Sequence, residues 1–194
     1  MNEEMNMKVV AFNGSPRKDG NTFVLISRLL EGLGRQGFET EIVQLSDKEI
    51  HGCIACSKCF ENQDRRCAVK KDPMNEYIGK ITEAEGVVLG SPVYFQDVTP
   101  EMKALIDRVG FVGLANGKMY TNKVGASLAC FRRSGGMSTV ESMNHLFLSN
   151  DFIIAGRVLG MAREKGDMEK DEEGLQIAAT LGQRMAWMLK KLHG

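Results

Sequence analysis

Residues 8–22 read KVVAFNGSPRKDGNT and join an apolar run to a loop of glycine, hydroxyl and amide residues. The run at 8–15 is typical of a buried parallel strand. Apolar residues then recur at helical spacing through NTFVLISRLLEGLGRQG, which ends at Gly34 and Gly37. A strand that leads directly into a helix begins a βαβ unit, and the N–H groups at such a helix start attract anions. The stretch therefore predicts both an α/β fold and an anion site at its first turn.

The same alternation continues along the chain. Further strands are predicted at 39–45, at 86–95 with the turn that ends it, and at 123–130 and 152–158. Helices are predicted from Pro73, from Thr99 as N-cap with Pro100 in the first turn, at 138–149, and from Asp171 to Leu192. Five strands alternating with five helices predict a flavodoxin-like, doubly wound α/β fold whose parallel sheet has the order 2-1-3-4-5. Residues 1–194 are predicted to form a single domain, with a cysteine-rich insertion loop at about 46–72.

Composition and charge narrow the function classes. Hydrophobic residues make up 43% of the chain and charged residues 26%, with a formal net charge of zero. Nothing in this balance favours nucleic acid or an anionic membrane as a partner. The opening MNEEMNMKVV lacks the apolar stretch of a signal peptide, so we expect a cytoplasmic protein. Because cytoplasmic thiols stay reduced, clustered cysteines there predict metal binding or redox chemistry rather than structural disulfides.

The loop after the first strand is a candidate phosphate site. Ser15, Asn21 and Thr22 can donate hydrogen bonds, and Arg17 can make a charge-assisted contact. The spacing differs from the Walker A loop, and the Rossmann glycine fingerprint is absent. The alternative is an ordinary helix cap beside a solvated arginine.

The loop after the third strand contains the candidate ring-binding residues Pro92, Val93, Tyr94 and Phe95. Two aromatic side chains and a valine at a sheet edge could pack along a flat ring, while the main chain meets its polar edge. The alternative is that the two aromatics fold back into the core.

The loop after the fourth strand carries Arg132 and Arg133, followed by Gly135 and Gly136. Glycines permit close backbone approach to a ligand, and arginine supplies positive charge. An ordinary glycine turn is the alternative. Because the carboxyl ends of parallel strands meet at one edge, the three loops together predict a ligand site more strongly than any one of them.

Four of the five cysteines lie in HGCIACSKCFENQDRRC, residues 51–67, with the spacing C-x2-C-x2-C-x7-C. Two such short steps can supply three thiolates to one iron-sulfur cubane, and the fourth ligand then comes from a separate position. A zinc site, redox-active thiols and small hydrophobic side chains are the alternatives. The candidate ligands are Cys53, Cys56, Cys59 and Cys67.

The motifs GSPRKDGNT, GSPVYF and MKALIDR resemble those of the NADPH-dependent FMN reductase superfamily. With the cysteine loop between them, residues 8 to about 158 are most similar to the iron-sulfur flavoproteins of anaerobic microbes. The resemblance implies an FMN phosphate held by Ser15, Arg17, Asn21 and Thr22. It also implies an isoalloxazine ring between residues 92–95 and 131–136, and a [4Fe–4S] cluster on the four cysteines.

These expectations converge on an electron-transfer flavoprotein that links two-electron and one-electron carriers. A ferredoxin-like or nicotinamide partner is expected, and the resemblance implies a homo-oligomer, a dimer or a tetramer. No side chain needs to act as acid or base, so no catalytic residue is predicted. The alternatives are an NAD(P)H-dependent FMN or quinone reductase without a cluster, and a zinc-stapled flavin-binding module without turnover.

Overall fold

The computed structural model describes residues 7–194, in which strands and helices alternate. The strands are β1 (Lys8–Asn13), β2 (Glu39–Gln44), β3 (Gly86–Pro92), β4 (Val124–Phe131) and β5 (Ile153–Met161). The helices are α1 (Asn21–Gly34), α2 (Lys58–Asn62), α3 (Met74–Glu83), α4 (Pro100–Ala115), α5 (Gly136–Ser149) and α6 (Glu172–His193).

All strand pairs are parallel, and the sheet has the order β2-β1-β3-β4-β5. The predicted flavodoxin-like fold class is thus confirmed. The register brings Asn13, the last residue of β1, opposite Gln44 of β2 and Gly90 of β3. Phe131 pairs with Met161 in the same way. The loops that leave these strands therefore start at one edge of the sheet.

The sheet separates two apolar cores, one on each face. Val10 and Phe12 of β1 pack with residues of α3, α4 and α5. Val9 and Ala11, which point the other way, pack with residues of α1 and α6. Because both faces are covered, β1, β3 and β4 are buried almost continuously, which explains their unbroken apolar sequences.

Most element boundaries agree with the sequence prediction. Thr99 caps α4 by accepting a hydrogen bond from the backbone N–H of Met102, and Pro100 occupies the first turn as predicted. The predicted count of five helices is wrong, because α2 forms a sixth inside the cysteine loop. This helix has five residues and buries none of them, so it leaves no apolar periodicity in the sequence.

Among residues 7–194, no helix combines the length and the apolar character that crossing a bilayer requires. The signal-peptide prediction depends partly on residues 1–6, which lie outside the described residues.

Candidate functional site

A cleft with a volume of 210 Å³ opens at the carboxyl edge of the sheet, bordered by the loops after β1, β3, β4 and β5. The predicted site residues in its lining are Ser15, Arg17, Asn21, Thr22, Pro92, Val93, Tyr94 and Arg132. Phe131, the first residue of the segment 131–136 expected beside the ring, also lines the cleft. The remaining lining residues were not predicted as ligands: Pro16, Gly20, Cys130, Ala162 and Arg163.

The loop after β1 is held by its own hydrogen bonds. The backbone N–H of Gly14 donates to the carbonyl of Gly90 (2.8 Å), and the Thr99 hydroxyl donates to the carbonyl of Gly14 (2.8 Å). Ser15 Oγ accepts from the backbone N–H of Arg17 at 3.1 Å. Gly20 occupies the N-cap of α1 and offers no side-chain acceptor to its first N–H groups. A helix start left without a side-chain cap at the wall of a cleft is suited to an anion.

Asn21 lines the cleft, but its side-chain amide bonds to the chain after β5. Its Nδ2 donates to the carbonyl of Glu164 (2.8 Å), and its Oδ1 accepts from the backbone N–H groups of Gly166 (3.1 Å) and Met168 (3.3 Å). The amide therefore braces the segment that carries Arg163 to the cleft. The signal for Arg163 was present in the sequence, because the end of β5 belongs to the same sheet edge.

The two aromatic residues after β3 stand outside the core. Tyr94 lines the cleft and is about half exposed, and it closes a tight turn by two backbone hydrogen bonds with Asp97. Phe95 is fully exposed, has a φ of 45° and does not line the cleft. The alternative that these aromatics are core residues is wrong, whereas a ring contact by Phe95 stays a prediction.

Gly135 and Gly136 also lie outside the cleft lining. At Gly135 the backbone and the packing both require glycine. Its φ is 84°, and a Cβ atom there would stand 2.6 Å from Cγ1 of Val93. The glycine thus lets the loop after β4 pack against the loop after β3. Ser138 supports the same contact by donating a hydrogen bond to the carbonyl of Gln96.

The four cysteines of the insertion loop border a second cavity, of 30 Å³. Cys53 and Cys56 are exposed, whereas Cys59 and Cys67 are half-buried against the core. The opposite wall comes from α4 and contains Arg108, Phe111 and Val112. Phe60 of α2 packs edge-on against Phe111, with ring centroids 6.3 Å apart.

Left-handed residues turn the chain between the cysteines. Ala55 has a φ of 52° and Ser57 a φ of 56°. The backbone N–H of Ala55 lies 3.4 Å from Sγ of Cys53 and donates to it. Burial raises the pKa of the Cys59 thiol above its ordinary value, and the neighbouring Cys67 and Cys56 thiols act in the same direction.

Arg108 holds the base of this loop and was missed by the sequence analysis. Its guanidinium forms a salt bridge with Asp72, and both side chains are 1% exposed. Burial alone would lower the pKa of Arg108, but hydrogen bonds to Asp72 and Cys67 outweigh it, so the net shift is upward. Burial likewise raises the pKa of Asp72, and the bond from Arg108 reverses that shift, so the net direction is downward. An arginine among the apolar residues of MKALIDRVGFV was the available signal.

The four cysteines around this cavity offer sulfur donors on its lining. Among residues 7–194, no group of three or more His, Cys, Asp or Glu side chains is arranged to hold one metal ion. Four thiols line an apolar cavity, and N–H groups donate to two of their sulfurs, so the donor set fits the ligands of an iron-sulfur cluster.

The family model for NADPH-dependent FMN reductases matches residues 7–166, which contain the whole sheet and all the residues that line the cleft. The chain belongs to the NADPH-dependent FMN reductase family. Within it, the chain belongs with the iron-sulfur flavoproteins. One from Methanocaldococcus jannaschii is 36% identical over 95% of this chain and 98% of that protein. One from Archaeoglobus fulgidus is 32% identical over 93% of this chain and 79% of that protein.

Solved structures agree with this family member in fold. The NAD(P)H:quinone oxidoreductase of Methanothermobacter marburgensis has a TM-score of 0.69 at 16% identity, with 93% of this chain and 97% of that chain covered. A flavodoxin from the domain Archaea has a TM-score of 0.61 at 16% identity, with 95% and 99% covered. At such low identity the likeness extends to the fold alone.

Proposed function

We propose that this protein binds FMN in the cleft and a [4Fe–4S] cluster on its cysteine loop, and transfers electrons between a two-electron carrier and a one-electron carrier. The observation that carries the proposal is that all four loop cysteines border one cavity, in a chain whose sheet edge also forms an open cleft. Relatives named iron-sulfur flavoproteins that cover nearly the whole chain support the same assignment.

The cleft residues have distinct parts in holding FMN. Ser15, Thr22 and the start of α1 would bind the phosphate, with Arg17 and Arg163 supplying charge from the two sides. Tyr94 on one wall and Phe131 on another would flank the ring. Bound flavin accepts electrons in pairs and releases them singly, which is the chemistry that joins the two kinds of carrier.

The cysteine loop supplies ligands and a partly apolar surrounding. Cys53, Cys56, Cys59 and Cys67 would bind the cluster. Phe111 and Val112 of α4 would keep water from its inner side, because the cavity wall there is apolar.

The exposed apolar surface around the cysteine loop indicates that other molecules contact the protein there. Ile54, Phe60 and Phe111 are exposed beside the cysteines. We expect a second copy of the chain to cover part of this apolar surface, in a dimer or a tetramer, and a ferredoxin-like or nicotinamide carrier to deliver or accept electrons. With a net charge of zero, nucleic acid is not an expected partner.

The deciding experiment is the content of iron, acid-labile sulfide, zinc and FMN per chain after oxygen-free purification. About four irons and four sulfides with one FMN are expected for a [4Fe–4S] flavoprotein. Zinc without sulfide would instead indicate a stapled flavin-binding module, and flavin without metal a simple reductase. Sedimentation velocity on the same sample gives the oligomeric state.

An NAD(P)H-dependent FMN or quinone reductase is the second candidate, because the matching family model describes NADPH-dependent FMN reductases. In this case NADPH would reduce the bound flavin within one turnover, and Cys53→Ser would leave the rate unchanged. Stopped-flow absorbance of the flavin band distinguishes the two functions.

A further inference from the structure

Arg108 is a charged side chain that lies entirely inside the protein, in the middle of α4. An isolated buried guanidinium is strongly unfavourable, so its position requires acceptors for its N–H groups, and four are found here. All of them come from residues 51–72. Besides the carboxylate of Asp72, they are the carbonyls of His51 (3.0 Å) and Val69 (3.1 Å) and Sγ of Cys67 (3.3 Å).

These contacts join the two ends of the cysteine loop. His51 precedes the first cysteine, whereas Val69 and Asp72 follow the last one. Asp72 completes the connection, because its carboxylate also accepts from the backbone N–H groups of His51 (3.1 Å) and Met74 (3.3 Å). Between these ends, no residue from 52 to 66 is buried. The loop therefore has few apolar contacts of its own and depends on a polar base.

One of the contacts points at a proposed ligand atom. The Nε–H of Arg108 donates to Sγ of Cys67, while the other guanidinium nitrogens hold the loop ends. A hydrogen bond to a ligating sulfur, and a positive charge beside it, stabilise the more negative, reduced form of a cluster. Both effects raise the reduction potential.

We propose that Arg108 is a positioning residue for the cluster site, which fixes both ends of the cysteine loop and raises the reduction potential through its hydrogen bond to Cys67. This inference depends on the proposed function only for the potential. The positioning of the loop is a property of the polypeptide itself.

The test compares Arg108→Lys with Asp72→Asn as the matched control, both purified without oxygen. Lysine keeps the charge but lacks the planar set of donors that reaches the sulfur and both loop ends. Asparagine weakens the same salt bridge and leaves the donor to Cys67 in place. Hydrogen exchange of residues 51–72 reports positioning, and a dye-mediated redox titration reports the potential.

In Arg108→Lys, exchange across residues 51–72 is expected to accelerate at least about tenfold, the effect of losing about 1.4 kcal/mol of local stability. The ratio of reduced to oxidised cluster, read at the wild-type midpoint, is expected to fall roughly threefold to tenfold, where tenfold corresponds to about 59 mV for one electron. Asp72→Asn is expected to accelerate exchange too, but to leave the potential unchanged or raise it, because it removes a negative charge.

An equal fall of the potential in both variants would overturn the role of the Cys67 hydrogen bond. Unchanged exchange in Arg108→Lys would overturn the positioning role. If the wild-type protein contains no iron or sulfide, the proposed function fails, and hydrogen exchange alone decides whether Arg108 positions the loop. Should Arg108→Lys not fold, the double variant Arg108→Gln with Asp72→Asn leaves no unpaired buried charge and is measured in the same way.

Discussion

The cleft and the cysteine loop reach their shapes by different means. The cleft is formed where strands of one sheet end together, and buried hydrogen bonds such as that from Thr99 to Gly14 hold its first loop. The cysteine loop has exposed residues along most of its length, left-handed residues at Ala55 and Ser57, and a base joined by Arg108. The difference indicates that the sheet preforms the cleft, whereas the ends of the cysteine loop are joined by the contacts of one buried arginine.

The largest expected effect is the loss of iron from the cysteine loop without loss of flavin from the cleft. Cys56→Ala should abolish the proposed cluster, so that bound iron and sulfide fall to background, because one of the four proposed thiolate ligands is missing. FMN should remain at the wild-type ratio, since Cys56 does not line the cleft. Metal and flavin analysis after oxygen-free purification measures both. Cys130→Ala is the control for iron content, and loss of flavin from Cys56→Ala would mean that the two regions are not independent.

The converse change addresses the cleft. Arg17→Ala should weaken FMN binding roughly tenfold to a hundredfold, the loss expected for a charge-assisted hydrogen bond to phosphate, with iron content unchanged. Fluorescence titration of flavin into the stripped protein measures the dissociation constant. Lys18→Ala is the matched control, because Lys18 lies in the same loop, pairs with Asp47 and does not line the cleft. An equal loss of FMN affinity in both variants would mean that any positive charge in the loop attracts the flavin, and that Arg17 makes no specific contact with its phosphate.

A third change examines whether the cleft is preformed by buried bonds. Thr99→Val should lower the free energy of unfolding by about 1–2 kcal/mol, because it removes the cap of α4 and the bond to Gly14. Urea unfolding of the purified protein measures the loss, and Thr99→Ser should recover most of it. Faster hydrogen exchange is expected in the loop after β1 and not in residues 51–72. The opposite pattern would count against the contrast between the two regions.

The smallest expected effect lies in the sheet, away from both regions. Lys80 and Lys8 contact Glu41 at 2.5 Å and 3.4 Å. Burial raises the pKa of Glu41, but the two lysines outweigh it and lower the pKa on balance. The stabilisation is therefore present above the unfolded pKa of about 4.3 and is lost as the pH falls through the lower folded value.

Replacing Glu41 by Gln should accordingly cost less than about 1 kcal/mol at neutral pH, because the pair is partly exposed to solvent. The difference from the wild type should shrink as the pH falls below about 4. Urea unfolding at several pH values measures it, and cofactor content at neutral pH should not change. A difference that grows on acidification would have the wrong sign for this pair.

The sequence predicted the sheet well because its signals are local. Unbroken apolar runs such as Val9–Phe12, and punctuation such as Thr99 before Pro100, mark strands and helix starts directly. The strand order was predicted because five strands alternating with helices suit the doubly wound arrangement 2-1-3-4-5.

The details of the candidate site depend on side-chain partners that are distant along the chain. Asn21 bonds to residues more than 140 positions away, and no local pattern indicates that its amide is engaged by them. Arg108 meets Cys67 across 41 positions. The helix α2 was missed for a related reason. It is too short to show a helical period, and its contact with α4, through Phe60 and Phe111, joins residues that are distant along the chain.

The last helix has a practical consequence for attaching the protein to a surface. Lys190 of α6 bonds to Gln36 (3.0 Å) and lies over the ring of Phe38 (5.7 Å), just before β2 begins. This is the amino-end rim of the sheet, opposite the rim where the strands finish. A linker at this rim would turn the cleft outward, toward dissolved reagents. An electrode coupled there would contact the protein on the side opposite the cleft.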